Sequence, residues 1–358
     1  MKKSNFIAGH WVEGTGSIKN INPSDTADVI SEYTSATGEQ FEKAVESAII
    51  AQKEWEEVGI EKKSQILIRI GDELIQKSEE LGELLSQEEG KPLAEGIGEV
   101  ARAGQQFQYY GSECLRLYGE KIPSTRPGFQ VEISREPLGV VGIISPWNFP
   151  IAIPAWKAAP AMMCGNAVIL KPASLTIGSA VALTEIISKQ DIPKGLFNLV
   201  LGSGSDVGHK IAVHPEIAAI SFTGSVQTGR QLYKDASSTM KKMQMEMGSK
   251  NPLVVMDDAD LKTAITCAVN GAYGGTGQKC TASSRLIVHE NIYKDSLEVS
   301  TQEILDERIL LEEGNENSQT RVSHIQLSFS SDEEKKEKLN TANTIFKKLS
   351  ESTTFESL

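Results

Sequence analysis

Between about residue 140 and residue 247, short apolar runs alternate with segments of helical period, and this rhythm constrains the chain more than any other feature. "GVVGIISPW", "NAVILKPAS", "LFNLVLGSG" and "IAAISFTGS" are strand-like, and "TIGSAVALTEIISKQ", "SDVGHKIAVH" and "VQTGRQLYKDASS" fall between or after them as helices. Strands alternating with helices specify a parallel, doubly wound α/β sheet. Such sheets bind ligands in the crevice outside the carboxyl ends of their strands. Lys171, Gly202, Gly224 and Ser225 all fall at such ends.

Ahead of this region, residues 40–118 read as helical. Phe41, Val45, Ala48 and Ile49 form one stripe, and Ile66, Leu67, Ile70 and Leu74 form a second. The period then changes. Val131 and Ile133 alternate with polar residues, "PLG" marks a turn, and a further apolar strand follows, which predicts a β-hairpin over 123–142.

Five stretches can carry chemistry. In "SPWNFP", Asn148 is either a turn residue or an amide donor placed to hold a developing oxyanion. In "VILKPAS", Lys171 ends a buried strand, so its ammonium must reach water or an anion; Ser174 lies three positions on. "SFTGSVQTGR" joins a strand to a helix through Gly224 and Ser225, and the backbone N–H groups of such a turn attract anions. Its glycine spacing is not the usual dinucleotide fingerprint. In "MQMEMGSKNP", three methionines take one strand face and leave Glu246 on the other, as a solvated residue or as a general base. Finally "GQKCTASSR" sets Cys280 among polar residues, where its sulfur is either inert or meant to be reached. A cysteine, a carboxylate, an amide donor and a dinucleotide-type crevice are together the parts for oxidising an aldehyde.

These motifs, in this order, resemble the aldehyde dehydrogenase superfamily over residues 5 to about 293. The resemblance implies that Cys280 is the nucleophile and Glu246 the base for deacylation. Asn148 and the Cys280 backbone N–H would form the oxyanion hole. Lys171 would contact the cofactor ribose and phosphate, while Trp147, Ser174, Gly224, Ser225 and Met247 line the nucleotide site. Members preferring NAD often carry glutamate where this chain has Ser174, so NADP is the expected cofactor, with NAD possible. "NFPIAIPAWKAAPAM" and "GQKCTASSR" are similar to members that oxidise 2-oxoglutarate semialdehyde (2,5-dioxovalerate). Members that act on succinate semialdehyde often carry arginine where Trp156 stands. The implied layout is a dinucleotide-binding domain over 1–122 and 143–247, an oligomerisation-type hairpin over 123–142 and a partial catalytic domain over 248–293. The family's second ribose-binding glutamate, in "E-x-F-G-P", has no counterpart here, so the catalytic half is expected to be truncated and the family's homo-oligomer incompletely supported.

Residues 294–358 differ in composition: Ser, Thr, Glu, Lys and Asn dominate, which predicts a divergent, weakly ordered tail. One amphipathic helix is expected there, capped by Ser331 and Glu334 and burying Leu339, Ile345, Phe346 and Leu349. The formal charge of −12 argues against nucleic acid and anionic membranes as partners. No apolar run is long enough for a transmembrane helix, and "MKKSNFIAGHWVEG" lacks the apolar core of a signal peptide. The four cysteines form no CxxC pair and the five histidines show no metal-ligand spacing, as expected of a cytoplasmic enzyme that needs no metal.

Overall fold

The computed structural model describes residues 4–292. The helix expected from Ser331, and the tail as a whole, lie outside these residues. Four short strands come first: β1 (Asn5–Ile7), β2 (His10–Val12), β3 (Thr15–Ile21) and β4 (Val29–Ser35). Four helices follow: α1 (Gly38–Glu56), α2 (Ile60–Gln76), α3 (Ser78–Glu89) and α4 (Leu93–Glu113). Thr37 and Gln40 cap α1 reciprocally, each side chain bonded to the other's backbone N–H. The α2 stripe of Ile66, Leu67, Ile70 and Leu74 is fully buried. α2 packs along α4 at close range because Gly71 faces Gly104; a Cβ on Gly71 would lie 2.5 Å from the Gly104 carbonyl oxygen.

The chain then forms an exposed antiparallel pair, β5 (Glu120–Pro123) and β6 (Gln130–Ile133). This hairpin starts and ends earlier than the 123–142 expected. The next run, β7 (Val140–Ile144), is buried at every position and belongs to the main sheet. Its side chains meet packed layers on both faces, so it has no polar face to show and cannot serve as a hairpin arm at the surface.

The doubly wound region continues as α5 (Ala152–Met163), β8 (Ala167–Lys171), α6 (Ile177–Ser188) and β9 (Phe197–Leu199). A wide turn leads into α7 (His209–Val213), then β10 (Ile217–Gly224), α8 (Val226–Ala236) and β11 (Lys242–Met247). The sheet runs β11-β10-β7-β8-β9-β1-β2, parallel from β11 to β9 and antiparallel at the β1 and β2 edge. From β7 the chain steps outward through β8 to β9, then returns to lay β10 on the other side of β7. The switch point therefore lies between β7 and β10, where the rule for open α/β sheets puts the ligand.

Beyond this core, β12 (Asn251–Val255), α9 (Leu261–Tyr273) and β13 (Ser283–Val288) form a parallel two-stranded unit. Val254, Leu286 and Ile287 are more than half exposed, and Ile265 is the only buried residue of α9. Among the described residues no helix is long and apolar enough to cross a membrane.

Candidate active site

The site is built on the carboxyl ends of β7, β8, β10 and β11. Trp147 and Asn148 follow β7 and are half-buried. The Asn148 amide Nδ2 donates to the carbonyl oxygen of Gln278 at 2.6 Å. That contact joins the strand-end loop to the loop carrying Cys280, across 130 residues of chain. The Asn148 Oδ1 is buried with no hydrogen-bond partner.

Cys280 lies between a short helical turn at Gly274–Gly277 and β13, and it is exposed. Its carbonyl accepts from Asn251 Nδ2 at 2.7 Å, tying the cysteine loop to the start of β12. All four cysteines are free thiols.

Lys171 is the last residue of β8 and only 6% exposed, so its ammonium does not escape to water. Nζ donates to the Pro172 carbonyl at 2.9 Å, and no carboxylate among the described residues pairs with it. Burial alone pushes this lysine down to about 8. Ser174 lies three residues on and is exposed. Gly224 ends β10 and Ser225 caps α8, its Oγ accepting from the Thr228 N–H at 3.1 Å. The N-terminus of α8 thus opens at the same sheet edge as Lys171.

Met243, Met245 and Met247 form one face of β11 and pack against the core beneath α8. Glu246 takes the opposite, exposed face and accepts from Gln244 Nε2 at 2.9 Å. Gln244 in turn bonds Lys157 of α5 (3.0 Å), and Lys157 reaches Ser221 of β10 (2.8 Å). Burial lowers Lys157 to about 8, while the Glu246 charge opposes that shift. Ser221, Gln244 and Lys157 were not among the residues singled out from the sequence. The two-residue period of β11 is the signal that could have added Gln244, since it shares a face with Glu246. Trp156, one residue before Lys157, is 42% exposed and stacks on Phe149 with ring centroids 6.5 Å apart.

Asn148 is therefore brought to the cysteine loop, and Lys171, Gly224 and Ser225 to one sheet edge. Glu246 bonds within its own strand. No group of three or more potential metal ligands occurs among the described residues.

The profile of the Aldehyde dehydrogenase family matches residues 11–320. The chain belongs to the aldehyde dehydrogenase family. The match runs past residue 293, where the resemblance read from motifs stops, so family character continues into the region expected to be divergent. The chain is 42% identical over 292 residues to an alpha-ketoglutaric semialdehyde dehydrogenase of Bacillus subtilis, covering 81% of this chain and 60% of that protein. A crystal structure of an aldehyde dehydrogenase from Brucella melitensis biovar abortus superposes with a TM-score of 0.83 at 32% identity, covering 85% of this chain and 63% of that one. An Escherichia coli structure described as an NADP dependent enzyme gives 0.82 at 32% identity, over 84% of this chain and 63% of that one. The chain spans about 60% of the length of the curated aldehyde dehydrogenases it matches.

Proposed function

We propose that the chain carries the nucleotide site and the nucleophile of an NADP-accepting dehydrogenase that oxidises 2-oxoglutarate semialdehyde to a carboxylate. The observation behind this is the Asn148–Gln278 contact, which sets an amide donor against the loop of an exposed cysteine at the switch point of a doubly wound sheet. The Bacillus subtilis relative's substrate and the likeness around Trp156 support the semialdehyde. Residues 1–122 and 143–247 would form the dinucleotide-binding domain, and 248–293 the catalytic part present here. The exposed β5–β6 hairpin would serve homo-oligomerisation. A cytoplasmic setting accords with four free cysteines.

The residues present fit a dinucleotide. Among the described residues this buried ammonium has a single carbonyl partner, which suits an anionic or hydroxyl-rich ligand, and the α8 N-terminus adds backbone N–H groups at the same carboxyl edge of the sheet. Lys171, Ser174, Gly224, Ser225, Trp147 and Met247 would hold it. Ser174 brings no charge to repel a 2′-phosphate, whereas a glutamate there would. When bound, the nicotinamide accepts the hydride that leaves the aldehyde carbon.

The chain's own residues do the rest. The Cys280 sulfur adds to the aldehyde carbon, and the Asn148 amide with the Cys280 backbone N–H stabilises the charge that develops on oxygen. After oxidation the acyl group stays on sulfur as a thioester. Glu246 takes a proton from the water that cleaves it, and the thiolate leaves. The exposed position of Glu246 lets water reach it.

A second function is favoured by one feature. Val254 of β12 and Leu286 and Ile287 of β13 are exposed while the β7–β11 core is closed, as in a chain that binds nucleotide without turnover. Reduced-nucleotide absorbance with 2-oxoglutarate semialdehyde separates the two. Turnover that disappears in Cys280→Ala supports the dehydrogenase; nucleotide binding with no turnover supports the binding-only chain.

A further inference from the structure

Resting on the roles given above to Asn148 and Cys280, we propose that one turn of α4, through Glu95, Glu99 and nearby Lys91, is a bracket that fixes the oxyanion loop and the cysteine loop relative to each other. None of the three carries an atom assigned to the chemistry, so they are positioning residues.

Glu95 and Glu99 are four apart on α4 and so lie on one face. Glu99 is buried and fully engaged. One oxygen accepts the backbone N–H groups of Ile151 (3.0 Å) and Ala152 (3.1 Å), at the start of α5. The other accepts from Lys91 Nζ at 2.7 Å. That same Nζ donates to the backbone carbonyl of Asn148 at 2.7 Å and lies 4.3 Å from the Phe149 ring centroid. The ion pair therefore grips residues 148–152 at both ends.

One turn earlier, Glu95 faces the other loop. Its Oε1 accepts the backbone N–H of Gly275 at 3.0 Å, and its Oε2 pairs at 3.5 Å with Lys279, the residue before Cys280. Gly275 has a φ of +61°, and a Cβ there would come within 2.3 Å of Lys279 Cε and 3.2 Å of Glu95 Oε2. The positive φ favours glycine here, and a Cβ would press on the Lys279 and Glu95 side chains that meet at this point. The Asn148 bond to Gln278 completes a ring from α4 through both loops and back. A buried Lys–Glu pair adds little net stability over well-packed apolar residues, so its presence beneath the loop agrees better with a role in geometry.

The test uses the full chain, with Glu95→Gln, Glu99→Gln and, as a control at the far end of α4, Glu113→Gln. Four quantities are measured: melting temperature, NADP affinity by fluorescence, the rate of Cys280 alkylation by iodoacetamide read by peptide mass spectrometry, and kcat and KM for the aldehyde. In Glu95→Gln the alkylation rate shifts severalfold and kcat falls about tenfold or more, as expected of a sub-ångström to ångström misplacement. NADP affinity and aldehyde KM stay near the parent values, and Glu113→Gln matches the parent throughout. A folded Glu95→Gln with parental alkylation rate and parental kcat overturns the bracket. If Glu99→Gln does not fold, the half-buried Glu95 still decides. If the parent itself shows no turnover, the dehydrogenase proposal fails alone, and the alkylation rate decides the bracket: a shift upholds it and parental reactivity removes it.

Discussion

The side-chain amide of Asn148 donates at 2.6 Å to the carbonyl oxygen of Gln278, two residues ahead of Cys280. One N–H of that amide is held by the cysteine loop, and under the proposed function the second is the oxyanion donor. Replacing Asn148 with alanine removes both. We expect kcat to fall about 10²- to 10³-fold, as when an oxyanion donor is deleted, with NADP affinity unchanged. Steady-state kinetics beside a fluorescence titration checks this, and an equal loss of NADP affinity would place Asn148 in the nucleotide site instead.

Among the described residues, the buried Lys171 ammonium bonds only to a neighbouring carbonyl. Lys171→Met should weaken NADP binding about tenfold or more, while the melting temperature holds or rises because a costly buried charge is gone. In the parent chain, burial has lowered this lysine to about 8. NADP affinity should therefore decline as pH rises through 8, and Lys171→Met should lack that decline. Isothermal titration between pH 7 and pH 9 reads both.

Ser174 stands exposed beyond the end of β8. Ser174→Glu places a carboxylate where a 2′-phosphate would approach and a 2′-hydroxyl could bond. The ratio of NADP to NAD affinity should fall by about tenfold or more, equivalent to about 1.4 kcal/mol. An unchanged ratio would show that the 2′ position is read elsewhere.

Glu89 has an almost fully buried side chain, with one oxygen 3.9 Å from Lys91 and without a hydrogen-bond partner. Burial raises it from 4.5 to about 7, against the pull of Lys91. The folded chain holds this proton more tightly than the unfolded chain. Its contribution to stability is thus fully present below pH 4.5 and is lost as pH rises through 7. Glu89→Gln removes the loss, so it should stabilise on the order of 1–2 kcal/mol at pH 8 and less at pH 5. Thermal melts at the two pH values test the difference; a larger gain at pH 5 would contradict it.

The parallel core was legible in the sequence because β7 and β8 are buried at every position, which writes them as unbroken apolar runs. The helices α1 and α2 were legible for a related reason: one wet face and one dry face give a clear period. By contrast, β1 and β2 have three residues each and went unrecognised, since three residues carry no period. Lys171, Asn148 and Cys280 stood out because each is a polar or reactive residue beside an apolar run or a glycine turn. Lys91, Glu95 and Glu99 did not. Charges on a helix usually mark the solvated face, and nothing local shows that these reach residues 148, 151 and 275. Lys157 was hidden in the same way on α5.

The far edge of the main sheet joins the start of the chain to its middle. Phe6 of β1 pairs with Leu199 of β9, and the Asn5 side chain accepts from the Leu201 N–H, 196 residues away. During synthesis at roughly 5–20 residues per second, the first strand must then wait about 10–40 s for its partner to be made. Through that interval β1 has β2 on one side, but its other edge has no strand to pair with. Its capture by β9 would be a late event on the ribosome, and a chain released before about residue 201 could never complete that edge.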